Sequence, residues 1–149
     1  MKRLALLVLP LIFFGNTVRS VTSDILATSP ADMVVIGEVT PHAPYDGWET
    51  FVFQGRPCMA VMYDFPADQL RVCGTRSILG ERATVRTTWD STGTAAGVHI
   101  YVDGVEQDKL VMSDTLSQFP RSAAPLSIGY RWGQDGLRFQ GTIYSVTHT

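Results

Sequence analysis

The chain has 149 residues, enough for one domain and short for two. Hydrophobic residues make up 45% and charged residues 17%, which excludes a disordered chain. The formal net charge is −2 and no Arg/Lys run occurs, which argues against nucleic acid as the main partner.

Residues 1–20 read as a secretory signal peptide. Lys2 and Arg3 supply the positive start, residues 4–14 are an almost unbroken apolar run, and Val18-Arg19-Ser20 offers a peptidase site. The alternative is a membrane anchor, but the run is too short to span a bilayer. Residues 21–149 hold no further apolar stretch of spanning length, so they are expected to form one exported domain.

Residues 21–32 are polar and mixed and read as a tail or an edge strand. Met33-Val34-Val35-Ile36-Gly37-Glu38-Val39 is a β-branched run of strand length. Residues 40–47 carry two prolines, Asp46 and Gly47 and form a loop. Residues 48–53 alternate, with Trp48, Thr50 and Val52 opposite Glu49, Phe51 and Phe53, and Trp48 is assigned to the core.

Cys58 and Cys73 are the only cysteines, and turn residues lie between them. A hairpin centred between Phe65 and Pro66 sets Cys58 opposite Cys73, Met59 opposite Val72 and Val61 opposite Leu70. Pairing partners share a face, so a Cys58–Cys73 disulfide is expected; free thiols or half a zinc site are the alternatives. Residues 82–89 alternate next, with Ala83, Val85, Thr87 and Trp89 on the core face. In Val98-His99-Ile100-Tyr101-Val102 the period is two again, and Asp103-Gly104 reverses the chain. The return strand is expected over residues 105–112 and the longest irregular stretch over 113–125. A strand is expected at 126–130, a Gly-rich loop at 131–136 and the last strand at 137–147. Short strands with regular turn signals and no amphipathic helix predict an all-β, two-sheet antiparallel sandwich.

Tyr101-Val102-Asp103-Gly104, Pro125-Leu126-Ser127-Ile128-Gly129 and Phe139-x-Gly141-x-Ile143-x-x-Val146 follow the strand-and-turn segments 34–41, 48–55, 59–72 and 84–90. In this order they resemble the laminin-G-like, concanavalin A-like jelly-roll domain over nearly all of residues 21–149. Three features depart from that pattern. No Trp stands near Arg82, Tyr144-Ser145 replaces an acidic position in the last strand, and the cysteine pair is not the family's common C-terminal one. The resemblance implies an exported jelly roll with its ligand site on rim loops. It also implies a possible calcium site, for which Asp46, Asp90 and Asp135 are candidates beside the other loop aspartates, Asp64 and Asp68. No Asp-x-Asp-x-Asp-Gly loop occurs, and the aspartates read equally as turn formers.

Retaining glucanases of this fold use two carboxylates about 5–5.5 Å apart, from a Glu-x-Asp-x(-x)-Glu strand. Glu106-Gln107-Asp108 has no second Glu after it, and no Gly-x-Ser-x-Gly elbow occurs. His42, His99 and His148 lack zinc spacing. Sugar sites pair an aromatic face with planar polar groups, and Tyr130, Trp132, Gln134 and Asp135 supply both in one glycine-flanked loop. The alternative is that Trp132 folds back to cap the core. His99, Tyr101 and Arg86 are a second ligand candidate, with Tyr101 fitting equally as a packed strand aromatic. The function expected is non-catalytic recognition of a glycan or an extracellular protein. A structural or assembly role at a cell surface or envelope is the alternative, and a glycan-active enzyme is third.

Overall fold

The computed structural model describes residues 19–149, so most of the leader reading lies outside the described residues. Its strands are β1 (Arg19–Ala27), β2 (Met33–Val39), β3 (Gly47–Phe53), β4 (Arg56–Asp64), β5 (Asp68–Gly74), β6 (Arg82–Trp89), β7 (Val98–Val102), β8 (Val105–Glu106), β9 (Lys109–Asp114), β10 (Ser127–Ile128) and β11 (Gly141–His148). They form a five-stranded sheet, β11-β1-β6-β7-β8, and a six-stranded sheet, β10-β2-β3-β4-β5-β9. Neighbouring strands pair antiparallel, and the pairing follows the alternation of apolar residues. Among the described residues, helical structure is confined to single 3₁₀ turns at Ala95–Gly97 and Asp135–Leu137. Among the described residues, no helix is long and apolar enough to cross a membrane.

The main core lies between the sheets. Val21, Ile25, Val85, Trp89, Ile100 and Val102 come from one sheet, and Trp48, Val52, Met59, Val61, Leu70 and Val72 from the other. A second cluster lies on the outer face of the six-stranded sheet: Val39, Phe51, Cys58, Ala60, Met62 and Cys73, with Tyr45 and Phe53 half-buried against it. Strands β3 and β4 are therefore buried on both faces, although the chain builds only two sheets from the described residues. Side chains and loops supply the missing cover. The guanidinium of Arg71 lies over the rings of Phe51 and Phe53, 4.7 and 5.5 Å from their centroids.

The cysteine hairpin takes the expected register as far as Met62–Gln69, beyond which a bulge at Tyr63 shifts the turn by one residue, so that Asp64 pairs with Asp68. Cys58 faces Cys73, Met59 faces Val72 and Val61 faces Leu70, and the two sulfurs are bonded. The turn at Asp103-Gly104 is also as read, with φ of 51° and 79°, left-handed values that a short hairpin requires.

Four expectations are corrected. Residues 19–27 are not a tail or an edge: β1 lies between β6 and β11. Its inward positions, Val21, Ser23, Ile25 and Ala27, are buried, but Ser23 and the polar neighbours blur the alternation in the sequence. The strand also takes in Arg19 and Ser20, with Ser20 and Thr149 exchanging backbone hydrogen bonds. The expected return strand at 105–112 is split. After the two residues of β8 the chain changes sheet, and β9 pairs with β5. Lys109 anchors the switch by donating to the carbonyls of Ala95 and Ala96. The β5–β9 register slips between Arg71 and Val72, leaving Met112 as the extra residue of a bulge. At 126–130 only Ser127–Ile128 is a strand, and the last strand starts at Gly141, because the 3₁₀ turn Asp135–Leu137 occupies the preceding segment.

Residues 115–126 cross from β9 to β10 and are held by acidic side chains. Asp68 accepts hydrogen bonds from the backbone N–H and the hydroxyl of Ser117, and Asp46 accepts from the Arg121 N–H.

Two outcomes are expected. Replacing both cysteines by alanine should lower unfolding stability by about 3 kcal/mol, the loop-closure entropy of a crosslink of this span, read by denaturant melts. An unchanged midpoint would mean the bridge adds nothing. The Asp68 carboxyl is held below its ordinary value of 3.8, chiefly by the Ser117 hydroxyl and then by the Ser117 N–H. A carboxyl with a lowered folded pKa adds stability above its ordinary value and loses it as pH falls through the folded one. The Ser117 amide shift, followed by NMR, should therefore titrate with a midpoint below 3.8. A midpoint at or above that value would contradict the contact.

Candidate functional site

The segment between β10 and β11 carries the rim candidate, and its shape comes from anchors at both ends. The Gly129 N–H bonds the Val35 carbonyl, the Phe139 N–H bonds the Gly129 carbonyl, and the Ser127 hydroxyl bonds the Tyr130 carbonyl. Between them, Arg131 turns inward. Its guanidinium makes a two-point ion pair with Glu49 of β3, Nε to Oε2 at 3.0 Å and a short second bond to Oε1. The side chains are only 5% exposed for Glu49 and 15% for Arg131. A third guanidinium nitrogen donates to the Gln134 Oε1 at 3.1 Å, while the Gln134 amide reaches the Pro41 carbonyl. The same guanidinium lies over the ring of Tyr45. At Gly133 φ is +71° and a Cβ would stand 2.5 Å from the Pro41 Cβ, so this close approach of two loops requires glycine.

Trp132 sits between these fixed points and is 45% exposed. It does not fold back onto the core. It borders an open groove of about 430 Å³ shared with Pro41, His42, Tyr130, Gln134 and Arg138. Arg138 bonds Asp135 at 2.7 Å and lies over the Tyr130 ring. The structure thus brings all four residues of the rim candidate, Tyr130, Trp132, Gln134 and Asp135, to one groove.

The other candidate lies elsewhere. Arg86, His99 and Tyr101 stand on the outer face of the five-stranded sheet, with the main core between them and the rim loop's anchor on β3. Arg86 lies 3.9 Å from the Tyr101 ring centroid, and His99 Nδ1 bonds the Glu106 carboxylate. Tyr101 is half-buried there as a strand aromatic. Trp48 and Trp89 are both in the core, as expected.

The loop aspartates are engaged locally. Asp46 holds Arg121, Asp68 holds Ser117, Asp135 holds Arg138, and Asp90 accepts from the Thr92 N–H, which with the Thr92 side chain lowers its pKa. Among the described residues, no three Asp, Glu, His or Cys side chains form a group that could hold a metal ion.

Two parts of the site escape sequence reading. Glu49 alternates with core residues on β3, and its partner Arg131 lies 82 positions later. Arg71 reads as an ordinary strand residue. Both line a second hollow of about 180 Å³ on the outer face of the six-stranded sheet, floored by Phe51 and Met62. Arg131 borders both hollows, so they adjoin. Arg71 forms no ion pair among the described residues, which leaves a cation facing the smaller hollow. An acid within an otherwise apolar strand is the one signal that could have pointed to Glu49.

No family model matches the sequence, and no curated protein is significantly similar to it. Solved structures share the architecture. The CBM40 module of the Ruminococcus gnavus IT-sialidase, bound to α2,3-sialyllactose, superposes with a TM-score of 0.68 at 14% identity, over 88% of this chain and 74% of that one. The same module without ligand gives 0.67. Domains LG4-5 of the mouse laminin α1 chain give 0.63 at 16% identity, over 89% of this chain and 36% of that one. The two-sheet jelly roll read from the sequence is therefore the fold of this chain, in common with carbohydrate-binding and laminin-G modules.

The ion pair gives a measurable consequence. Removing Glu49 strands a largely buried guanidinium, so Glu49→Ala should cost about 3 kcal/mol of stability. Glu49→Ala combined with Arg131→Ala should cost less than the sum of the single losses, read by denaturant melts in a double-mutant cycle. Strict additivity would show that the two side chains do not interact.

Proposed function

We propose that this chain is an exported, non-catalytic module that binds a glycan in the groove beside Trp132. One observation carries the reading: a half-exposed indole borders an open groove, on a loop tied down from beneath through Glu49 and Arg131. A sugar ring stacks its C–H face on an indole, and neighbouring planar groups order its hydroxyls; Gln134, Asp135 and Arg138 supply them here. Preorganisation of the loop lowers the entropy cost of binding. The one Glu-x-Asp of the chain, Glu106-Gln107-Asp108, lacks the second Glu of a paired-carboxylate hydrolase, which favours a non-catalytic role. The R. gnavus module's ligand carries a carboxylate, and Arg71 in the adjoining hollow is placed to meet an acidic unit next to the one on Trp132. The disulfide agrees with an exported protein.

A second reading, docking of an extracellular protein or a surface-assembly role, draws on β9. There Leu110, Val111 and Met112 are partly exposed in succession at a sheet edge.

The test is a glycan array followed by calorimetry on the best ligand. Trp132→Ala should weaken binding at least about tenfold with an unchanged circular dichroism spectrum, in keeping with the worth of one aromatic stack. Arg71→Ala should weaken acidic glycans more than neutral ones. An array without binders, or full affinity in Trp132→Ala, would overturn the proposal.

A further inference from the structure

We propose that one ordered water molecule is bound at the middle of the sandwich, where the hydroxyls of Ser23, Thr50 and Thr87 join the two sheets through it. The three residues come from three strands. Ser23 of β1 and Thr87 of β6 face inward from the five-stranded sheet, beside Val21, Ile25 and Val85. Thr50 of β3 faces them from the six-stranded sheet, between Trp48 and Val52. All are almost fully buried, at 3%, 4% and 1% exposure for Ser23, Thr50 and Thr87.

Two independent observations meet at this place. The first is chemical. The Thr50 and Thr87 hydroxyl oxygens are buried and have no hydrogen-bond partner among the described residues. An unpaired buried hydroxyl is costly, whereas valine would fill almost the same volume at no such cost. The second is geometric. All three residues line a single internal cavity of about 10 Å³, whose other walls include Val21, Ile25, Val35 and Val85. That is about the space one water molecule needs, and too little for anything larger. A buried water is stable with two to four polar partners, and three hydroxyls, each able to donate or accept, lie within that range. The remaining cavity wall is mostly apolar, which fixes the water on the hydroxyl side. Elsewhere the sheets meet mainly through apolar contact, so this water would supply directional bonding between the layers. The inference is independent of any ligand at the rim.

The decisive experiment is an atomic-resolution crystal structure of the wild-type protein together with melts of Thr50→Val and Thr87→Val. A bound water predicts a density peak within hydrogen-bond distance of both threonine oxygens, a Tm lowered by about 3 °C in each valine variant, and loss of the peak in the double variant. A dry cavity reverses the sign: no peak, and valine raises Tm by removing an unpaired hydroxyl. That result would overturn the proposal. If a variant fails to fold, the wild-type density decides alone.

Discussion

Burial of β3 and β4 on both faces is the constraint around which the molecule is arranged. One face of these strands meets the opposing sheet. The other carries Phe51, Cys58, Ala60 and Met62, and with two sheets in the fold its cover has to come from side chains and loops. The Arg71 guanidinium lies over two phenylalanine rings, where its stem can cover apolar surface while its charged end stays near solvent. Glu49 is the polar exception on this face. A buried carboxylate tolerates that position only with a partner, and the partner is Arg131. The need to neutralise one strand residue thus fixes the course of the loop that presents Trp132.

Legibility from sequence follows the range of the interactions. The cysteine hairpin was readable from Cys58–Cys73 to Met62–Gln69 because register and face are set within residues 58–73, whereas the bulge at Tyr63 that shifts its turn by one residue leaves no mark in the alternation. The Asp103-Gly104 turn was readable for the same reason. Strand β1 was not, because Ser23 holds an inward position that a hydrophobic residue would have marked. The split after Glu106 was hidden because a strand changing sheets keeps the composition of one that does not. The decision lies with Lys109 and two carbonyls of a distant turn. At the site, loop residues clustered within residues 130–135 could be found together, whereas Glu49 and Arg71 join them only through tertiary pairing. Choosing between an exposed and a core-capping Trp132 also depended on that pairing.

The open edge at β9 shows a second adjustment. Three consecutive apolar residues at the end of a sheet are a template for unwanted strand addition, and the extra residue at Met112 breaks the regular ladder there. The bulge also turns the Met112 sulfur toward Cys73, 3.4 Å away, so the edge packs against the second cluster. The two faces of the sandwich differ accordingly. The five-stranded sheet presents charged pairs such as Arg82 with Asp24, while the six-stranded sheet presents hollows around arginine.

The different settings of the three tryptophans carry an optical consequence. Trp48 and Trp89 are shielded, at 2% and 4% exposure, and Trp132 alone faces solvent. Their fluorescence should divide into a blue-shifted component inaccessible to collisional quenchers and a red-shifted one that iodide or acrylamide can reach. The molecule thereby contains its own label-free reporter for the mouth of the groove, spectrally separable from the two indoles that monitor the interior.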